Sequence, residues 1–593
     1  MTASDNFGNK NFCRAPTENS LRLVAAISLL LVLFVGLSLG AAQQKSPTAD
    51  ENFHLVAGYS YLKWGDYRIN PEHPPLAKLW AALPLLAVDV NDAPLSREAR
   101  DRVQENGKYG WLLANQWLFS SNDAEKLFFL AKIPMVLLGA LLGLLVFCWA
   151  RELYALPGAF AALAIYVLDP NMLAHSAIVH TDVPFAMAFF GGTYFFWRTL
   201  REITWLNCSM MAASFALSTV TKFSFVTILP IWLLLALAQI VSSAPMRSSI
   251  IFPGTITGRW LKTAWITVIF ISTTIFAYAA IWSVYGFHYD AALGEPAPLG
   301  VAASVEPSSW LTSSVRFNAR YHVFPEAWLS GLVYALSTFD RTSYLLGEIS
   351  GDGFWLYFPI AFAVKTPVPT LLLLMTALVF LLNKEPYVGA DRGFLLLPIS
   401  IYFSLAVYAR MNIGLRHVLP IYPFLFVWLG GTAGALCASR SVPKRCGILV
   451  LGIWLVFSNL KAFPDYLAFF NETVVASDRY KVLVDSNLDW GQDLKGLKQW
   501  MDKDGVHKIQ LAYFGTADPA YYGIAAIHKP GTWSIVLSKP HGGDDAQDAR
   551  YIAISATHLA GVYFWPSNPY QKYLSKEPVA VIGGSIHVYK AVE

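Results

Sequence analysis

The stretch Leu23–Ala42 reads LVAAISLLLVLFVGLSLGAA and carries no charge. A bilayer core calls for about 20 mostly apolar residues per spanning helix, and this run exceeds the roughly 7–15 apolar residues of a secretory signal. It predicts a retained first membrane helix, with Gly40-Ala41-Ala42 leaving cleavage behind it open. Ten further apolar runs lie near 127–149, 156–169, 183–197, 204–220, 223–242, 263–284, 366–383, 393–409, 417–436 and 447–463, the first three of them including two short ones. The whole chain agrees: of 593 residues 55% are hydrophobic and only 14% charged, and mean hydropathy is +0.43. An ordinary soluble protein is excluded.

Lys and Arg number 44 against 40 Asp and Glu, too even a balance for an extended nucleic-acid footprint. Five cysteines, none in the long polar segments, encode neither a disulfide framework nor a Cys-based zinc site. With the N-terminus inside, the short inner loops collect Arg151, Arg198, Arg201, Arg247, Arg259, Lys262, Lys384, Arg392, Arg440, Lys444 and Arg445, as the positive-inside rule requires. The expected organisation is a cytoplasmic tail (1–20), a transmembrane region of about eleven helices (21–465) with outward loops at 43–126 and 285–352, and an extracytoplasmic α/β domain (466–593). Within the last, Lys481–Val484, Ile509–Phe514, Tyr551–Ser555 and Val579–Tyr589 read as strands and Gln492–Met501 as a helix.

Chemistry-bearing residues gather just outside the first helix. Asp50-Glu51-Asn52-Phe53-His54 is followed by Asn70-Pro71-Glu72-His73-Pro74-Pro75-Leu76, after a Gly65-Asp66-Tyr67 turn. The next outward loop runs from Asp169 through His175, His180 and Thr181 to Asp182. The plain alternative is helix capping, which Asp, Thr and an acidic pair all do well. Taken together, however, these segments resemble the membrane-embedded glycosyltransferases of GT-C fold that use polyprenyl-phosphate sugars, in particular the protein O-mannosyltransferase and aminoarabinose-transferase superfamily. The likeness is clearest over 50–80 and 165–225. Tyr344–Gly347, Tyr357–Pro359, Lys365–Pro367 and Asp485–Asp493 look like a bacterial subgroup of it, and the tail beyond 465 is a departure.

The resemblance implies a glycosyltransferase acting on the outer face of a bacterial plasma membrane. It would move a hexose or pentose from a polyprenyl-phosphate donor to a hydroxyl of a protein, glycan or lipid, inverting the anomeric carbon. An alcohol is a poor nucleophile and needs a base. Asp50 matches the family's first-loop acid, Glu51 is its neighbour, and Asp182 matches the second-loop acid; these three are the catalytic candidates. His54, Glu72, His73 and His180 are candidate substrate contacts. The leaving lipid phosphate needs cations, for which Lys222, Lys365, Arg416 and His417 are candidates against the alternative of snorkelling to headgroups. A divalent metal on His175, His180 and Asp182 with Asp50 or Glu51 is a further option. In the tail, Asp485, Asp489 and Asp493 read as capping or acceptor-binding residues without chemistry, Asp489 at the helix that Gln492 begins. Rival functions are a multi-pass transporter, disfavoured by charges that cluster in loops with no repeated halves, and a non-catalytic envelope-assembly protein.

Overall fold

The computed structural model describes residues 18–105, 107–292, 310–337, 341–383, 390–531 and 549–591. All eleven apolar runs are helical. Six helices are long and apolar enough to cross a membrane, or seven if Tyr357–Lys365 and Val368–Leu382, bent by 114° at their junction, count as one span. Two of the expected spans lie within Ala124–Leu168, as two helices that meet at a kink where the Ala155 backbone is non-helical, ahead of Pro157. Asp182–Arg201, Trp205–Thr219 and Gly393–Ala409 fall short in length or apolarity. Asp182–Arg201 is buried along almost its whole length, so protein rather than lipid surrounds it and a purely apolar surface is not required of it.

The outward-facing sides of these helices identify their solvent. Leu29 and Val32 on Glu18–Gln43 (α1), Ile275 on Arg259–Val284, and Phe457 on Val442–Ala462 are each more than half exposed. Apolar stripes of this extent are unfavourable in water and neutral in hydrocarbon. Inside, the tightest helix contact joins Tyr422–Ala438 to Ala124–Leu168. Gly430 and Gly434 make it possible: a Cβ at either would sit 2.5–2.7 Å from Ala162 or Gly158.

The C-terminal part carries a five-stranded mixed sheet. In chain order its strands are β1 (Ile509–Ala512), β2 (Ala526–His528), β3 (Tyr551–Ser555), β4 (Ala580–Ile582) and β5 (Ile586–Lys590), arranged β2-β1-β3-β5-β4. β1 is parallel to β2 and β3, while β5 runs antiparallel to β3 and β4. Leu494–Lys503 is helical. The expected strand at Lys481–Val484 is instead a helical turn, Arg479–Val482, whose Val482 carbonyl accepts from the Leu346 N–H at 3.0 Å; a short apolar run does not by itself separate strand from helix.

This segment is sewn to the membrane region where α1 ends. Ser46 N–H donates to Gln492 O at 2.9 Å and Ala49 N–H to Trp490 O at 2.8 Å. Ser46 Oγ donates to Gly491 O, Thr516 Oγ1 to Ala49 O, and Lys45 pairs with Asp493. These ties fix the backbone immediately before Asp50.

Candidate active site

Helix α2 (Glu51–Trp64) begins at the acidic pair, and its first turn separates the two carboxylates by role. Glu51 is fully buried; its Oε2 accepts from Thr48 N–H at 2.7 Å and its Oε1 from Val179 N–H at 3.0 Å. Asp50 occupies the position before the helix but makes no capping bond. Its carboxylate, 25% exposed, lies 3.7 Å from His180 Nε2 and 4.0 Å from Arg416 Nη2. Glu51 is thus engaged by Thr48 and Val179, and Asp50 is left facing Arg416 and His180.

Arg416 is the hub of that cluster. Its Nη1 donates to His180 Nε2 at 2.9 Å and lies 3.7 Å from Asp182 Oδ2; its Nε donates to Ser486 Oγ at 3.2 Å; and its plane lies 4.3 Å from the centre of the Trp490 ring. A guanidinium has no acceptor, so His180 Nε2 presents its lone pair and the ring proton sits on Nδ1, 2.9 Å from Asp182 Oδ2. Lys222 Nζ donates to Asp182 Oδ1 at 2.5 Å. Asp182 makes no capping bond to the helix it opens. Burial pushes its carboxyl up, but Lys222, His180 and Arg416 outweigh this and hold it well below the usual range. Asp50 is shifted the other way: burial raises it, helped by Glu72 and opposed by Arg416, His180 and Arg341.

Histidines wall the same space. His54 stacks on His180 with ring centres 4.9 Å apart, and His73 stands edge-on to His180 at 5.8 Å. Both nitrogens of His54 and Nδ1 of His73 are buried without a hydrogen-bond partner. Burial lowers both rings well below the usual histidine range, aided by His180 at His54 and by Lys222 at His73, so both are neutral donor-acceptors at neutral pH. Unmet buried polar atoms carry a free-energy cost that a hydroxyl-rich ligand would remove. His417 Nε2 is likewise unpartnered.

Lys365 lies elsewhere. Its Nζ is buried and donates to Leu467 O at 2.8 Å and Asn487 O at 2.5 Å, tying the bent helix pair to the C-terminal segment. Among the described residues no three His, Cys, Asp or Glu side chains form a group able to hold a metal ion. The physical reason is that Arg416 and Lys222 already occupy the faces of His180 and Asp182 that a metal would need. Asp489 caps a different helix from the expected one: its Oδ2 accepts from Thr557 N–H at 2.9 Å, at the start of Ala556–Ala560.

Sequence reasoning missed three residues. Ser486 and Trp490 come from the tail yet touch Arg416, and their one signal was membership of the Asp485–Asp493 segment. Arg341, half-buried, acts electrostatically on Asp50, Asp485 and Tyr563. Among the described residues its guanidinium makes no hydrogen bond or ion pair, which distinguishes it from Arg416, Lys222 and Lys365.

No protein-family model and no curated protein matches the chain. Among solved structures it is similar to the apo oligosaccharyltransferase of Archaeoglobus fulgidus, with TM-score 0.44 and 10% identity over 91% of this chain and 71% of that one. It is also similar to AglB of the same organism in complex with an inhibitory peptide and a dolichol-phosphate (0.44, 9%, 97% and 74%), and to apo ArnT from Cupriavidus metallidurans (0.31, 10%, 96% and 98%). At these identities the functional reading rests on the chain's own site.

Proposed function

We propose that the chain is a glycosyltransferase that moves a sugar from a polyprenyl-phosphate donor to an acceptor hydroxyl, with Asp50 as base. The observation that carries this reading is the accessible Asp50 carboxylate at the edge of a buried cation cluster, with its shift toward a higher pKa. In one displacement the acceptor oxygen bonds to the anomeric carbon as the bond from that carbon to the phosphate oxygen breaks. The acceptor proton passes to Asp50, and attack opposite the leaving group inverts the centre. Arg416 favours the ionised form of Asp50 before the step, while the net upward shift brings the base nearer the operating pH. Asp182 with Lys222 and His180 holds Arg416 in place. The neutral His54 and His73 rings supply hydrogen bonds to sugar hydroxyls, with Glu72 and His417 at the rim.

The leaving polyprenyl phosphate gains charge and needs a cation whose own charge is not already paired. Among the described residues Arg341 makes no ion pair and is coupled only electrostatically to Asp50, Asp485 and nearby tyrosines. In this reading the apolar helices form the eleven-span region of a bacterial inner-membrane protein, and the Asp50 loop and the C-terminal α/β domain lie on the extracytoplasmic side. The acceptor is a protein, a glycan or a lipid.

The test is release of sugar from a panel of radiolabelled polyprenyl-phosphate sugars by purified protein with envelope extract as acceptor, beside Asp50→Asn, Asp182→Asn and Arg341→Gln. Donor-dependent turnover lost in Asp50→Asn with donor binding retained, and a raised KM in Arg341→Gln, are expected. Folded wild-type protein that leaves every donor intact refutes the reading and favours a transporter or assembly protein.

A further inference from the structure

Glu51 directs its carboxylate to Thr48 and Val179, and a second space lies beside it. One chamber of about 50 Å³ is bordered by Ser38, Thr48, Glu51 and Asp465, and a second of about 210 Å³ by Glu125, Phe128 and Phe129. Ala42, Lys45 and Lys132 line both. Asp50, His180 and Arg416 line neither.

The charges here are unevenly satisfied. Lys45 is held by Asp465 and Asp493, and Glu125 by Lys495. Lys132 is buried, lies 3.4 Å from Glu51, and makes no hydrogen bond among the described residues. The Glu51 oxygens already accept two backbone N–H bonds. Ser38 Oγ and Thr48 Oγ1 are also buried without a partner. Among the described residues two hydroxyls able to donate therefore border this space without an acceptor, beside an ammonium that is paired with Glu51. A ligand that answers them is rich in acceptor oxygens. Lys132 lies on Ala124–Leu168 and Ser38 on α1, both long enough to cross a membrane, and the partly exposed Phe129 lines the larger chamber.

We propose that this chamber binds the phosphate of a lipid headgroup, Lys132, Ser38 and Thr48 donating to its oxygens while an acyl or prenyl chain lies against Phe129. Basic pockets between membrane helices bind headgroups on this principle. The proposal does not rest on the glycosyl-transfer reading, since its ligand meets none of the Asp50 cluster.

Delipidated full-length protein in detergent is titrated with phosphatidylglycerol, with diacylglycerol of the same chains, and with inorganic phosphate as competitor, bound lipid being counted by native mass spectrometry. One tightly held phosphatidylglycerol is expected, with diacylglycerol at least about tenfold weaker and Lys132→Met weakened about tenfold or more, as loss of a charge-assisted hydrogen bond implies. Lys132→Met leaves Glu51 without its cation and is a folding risk. The uncharged double variant Ser38→Ala, Thr48→Val and the blocking variant Ala42→Phe carry the same expectation without that risk. Equal binding of diacylglycerol, or wild-type binding in the double and blocking variants, overturns the proposal. Displacement by inorganic phosphate at concentrations comparable to the lipid assigns the site to free phosphate and overturns the lipid.

Discussion

The Arg416 guanidinium lies over the Trp490 indole, 4.3 Å from its central carbon to the ring centre, and the same ring stands 5.6 Å from His180. A residue of the C-terminal segment thus sets the plane of the cation that links Asp50 to Asp182. Cation–π contact with a buried indole is worth more than at an exposed site, and a small displacement of a catalytic group costs heavily in rate. Trp490→Ala is expected to lower kcat by about 10- to 100-fold with KM for the donor little changed, and Trp490→Phe to recover most of the loss. Steady-state kinetics on both variants check this; equal kcat in Trp490→Ala and wild type would contradict it.

Asp50 must be ionised to accept a proton. Burial and Glu72 raise its carboxyl above the usual 3.8 despite Arg416 and His180. Turnover therefore rises with pH along an acid limb displaced upward from that of an ordinary aspartate. Glu72→Gln removes a like charge and shifts the limb downward. A kcat profile in which Glu72→Gln moves the limb to higher pH would reverse the sign of the argument.

Glu51 satisfies Thr48 and Val179 N–H groups and neighbours Lys132. Glu51→Gln replaces one acceptor oxygen by a donor and leaves a buried N–H unmet, at about 1–3 kcal/mol. The expected result is a lower melting temperature with kcat per folded molecule within about twofold of wild type. Loss of turnover at unchanged stability would instead make Glu51 the base.

Asp489 is fully buried, and burial pushes its carboxyl up to about 8 against the bonds it accepts from Thr557. Between its unfolded pKa of about 3.9 and that value the folded chain holds a proton that the unfolded chain has released. Stability from this group is complete below the unfolded pKa and falls as pH rises toward 8, by at most about 1.4 kcal/mol per pH unit. Thermal unfolding of wild type and Asp489→Asn across pH 5–8 tests it, the variant giving the flatter dependence.

What the sequence disclosed followed from local signals. Apolar run length located all eleven helices, because desolvation of a helix surface is a property of consecutive residues. Fewer of them are long and apolar enough to cross a membrane alone, since Asp182–Arg201 is enclosed by protein and carries charges at both ends. The structure brings Asp50, His180, Asp182, Lys222 and Arg416 together, with His54 and His73 beside them. Lys365 is removed from that group by two backbone carbonyls that no side-chain pattern announces. Ser486, Trp490 and Arg341 were invisible as site residues because their roles arise from contacts between distant parts of the chain. Asp489 illustrates the same limit: its cap is given to Ala556–Ala560 rather than to the helix beside it.

Ser46 and Ala49 are bonded to the backbone of Trp490–Gln492, while Trp490 and Ser486 grip Arg416. Synthesis runs from the N-terminus, so Asp50, Asp182 and Arg416 all leave the ribosome before the residues that fix their arrangement. A nascent chain halted short of Ser486 holds every charge of the cluster without its geometry. The cluster is therefore assembled late and all at once, and under the proposed glycosyl transfer a half-made copy in the membrane leaves the donor intact.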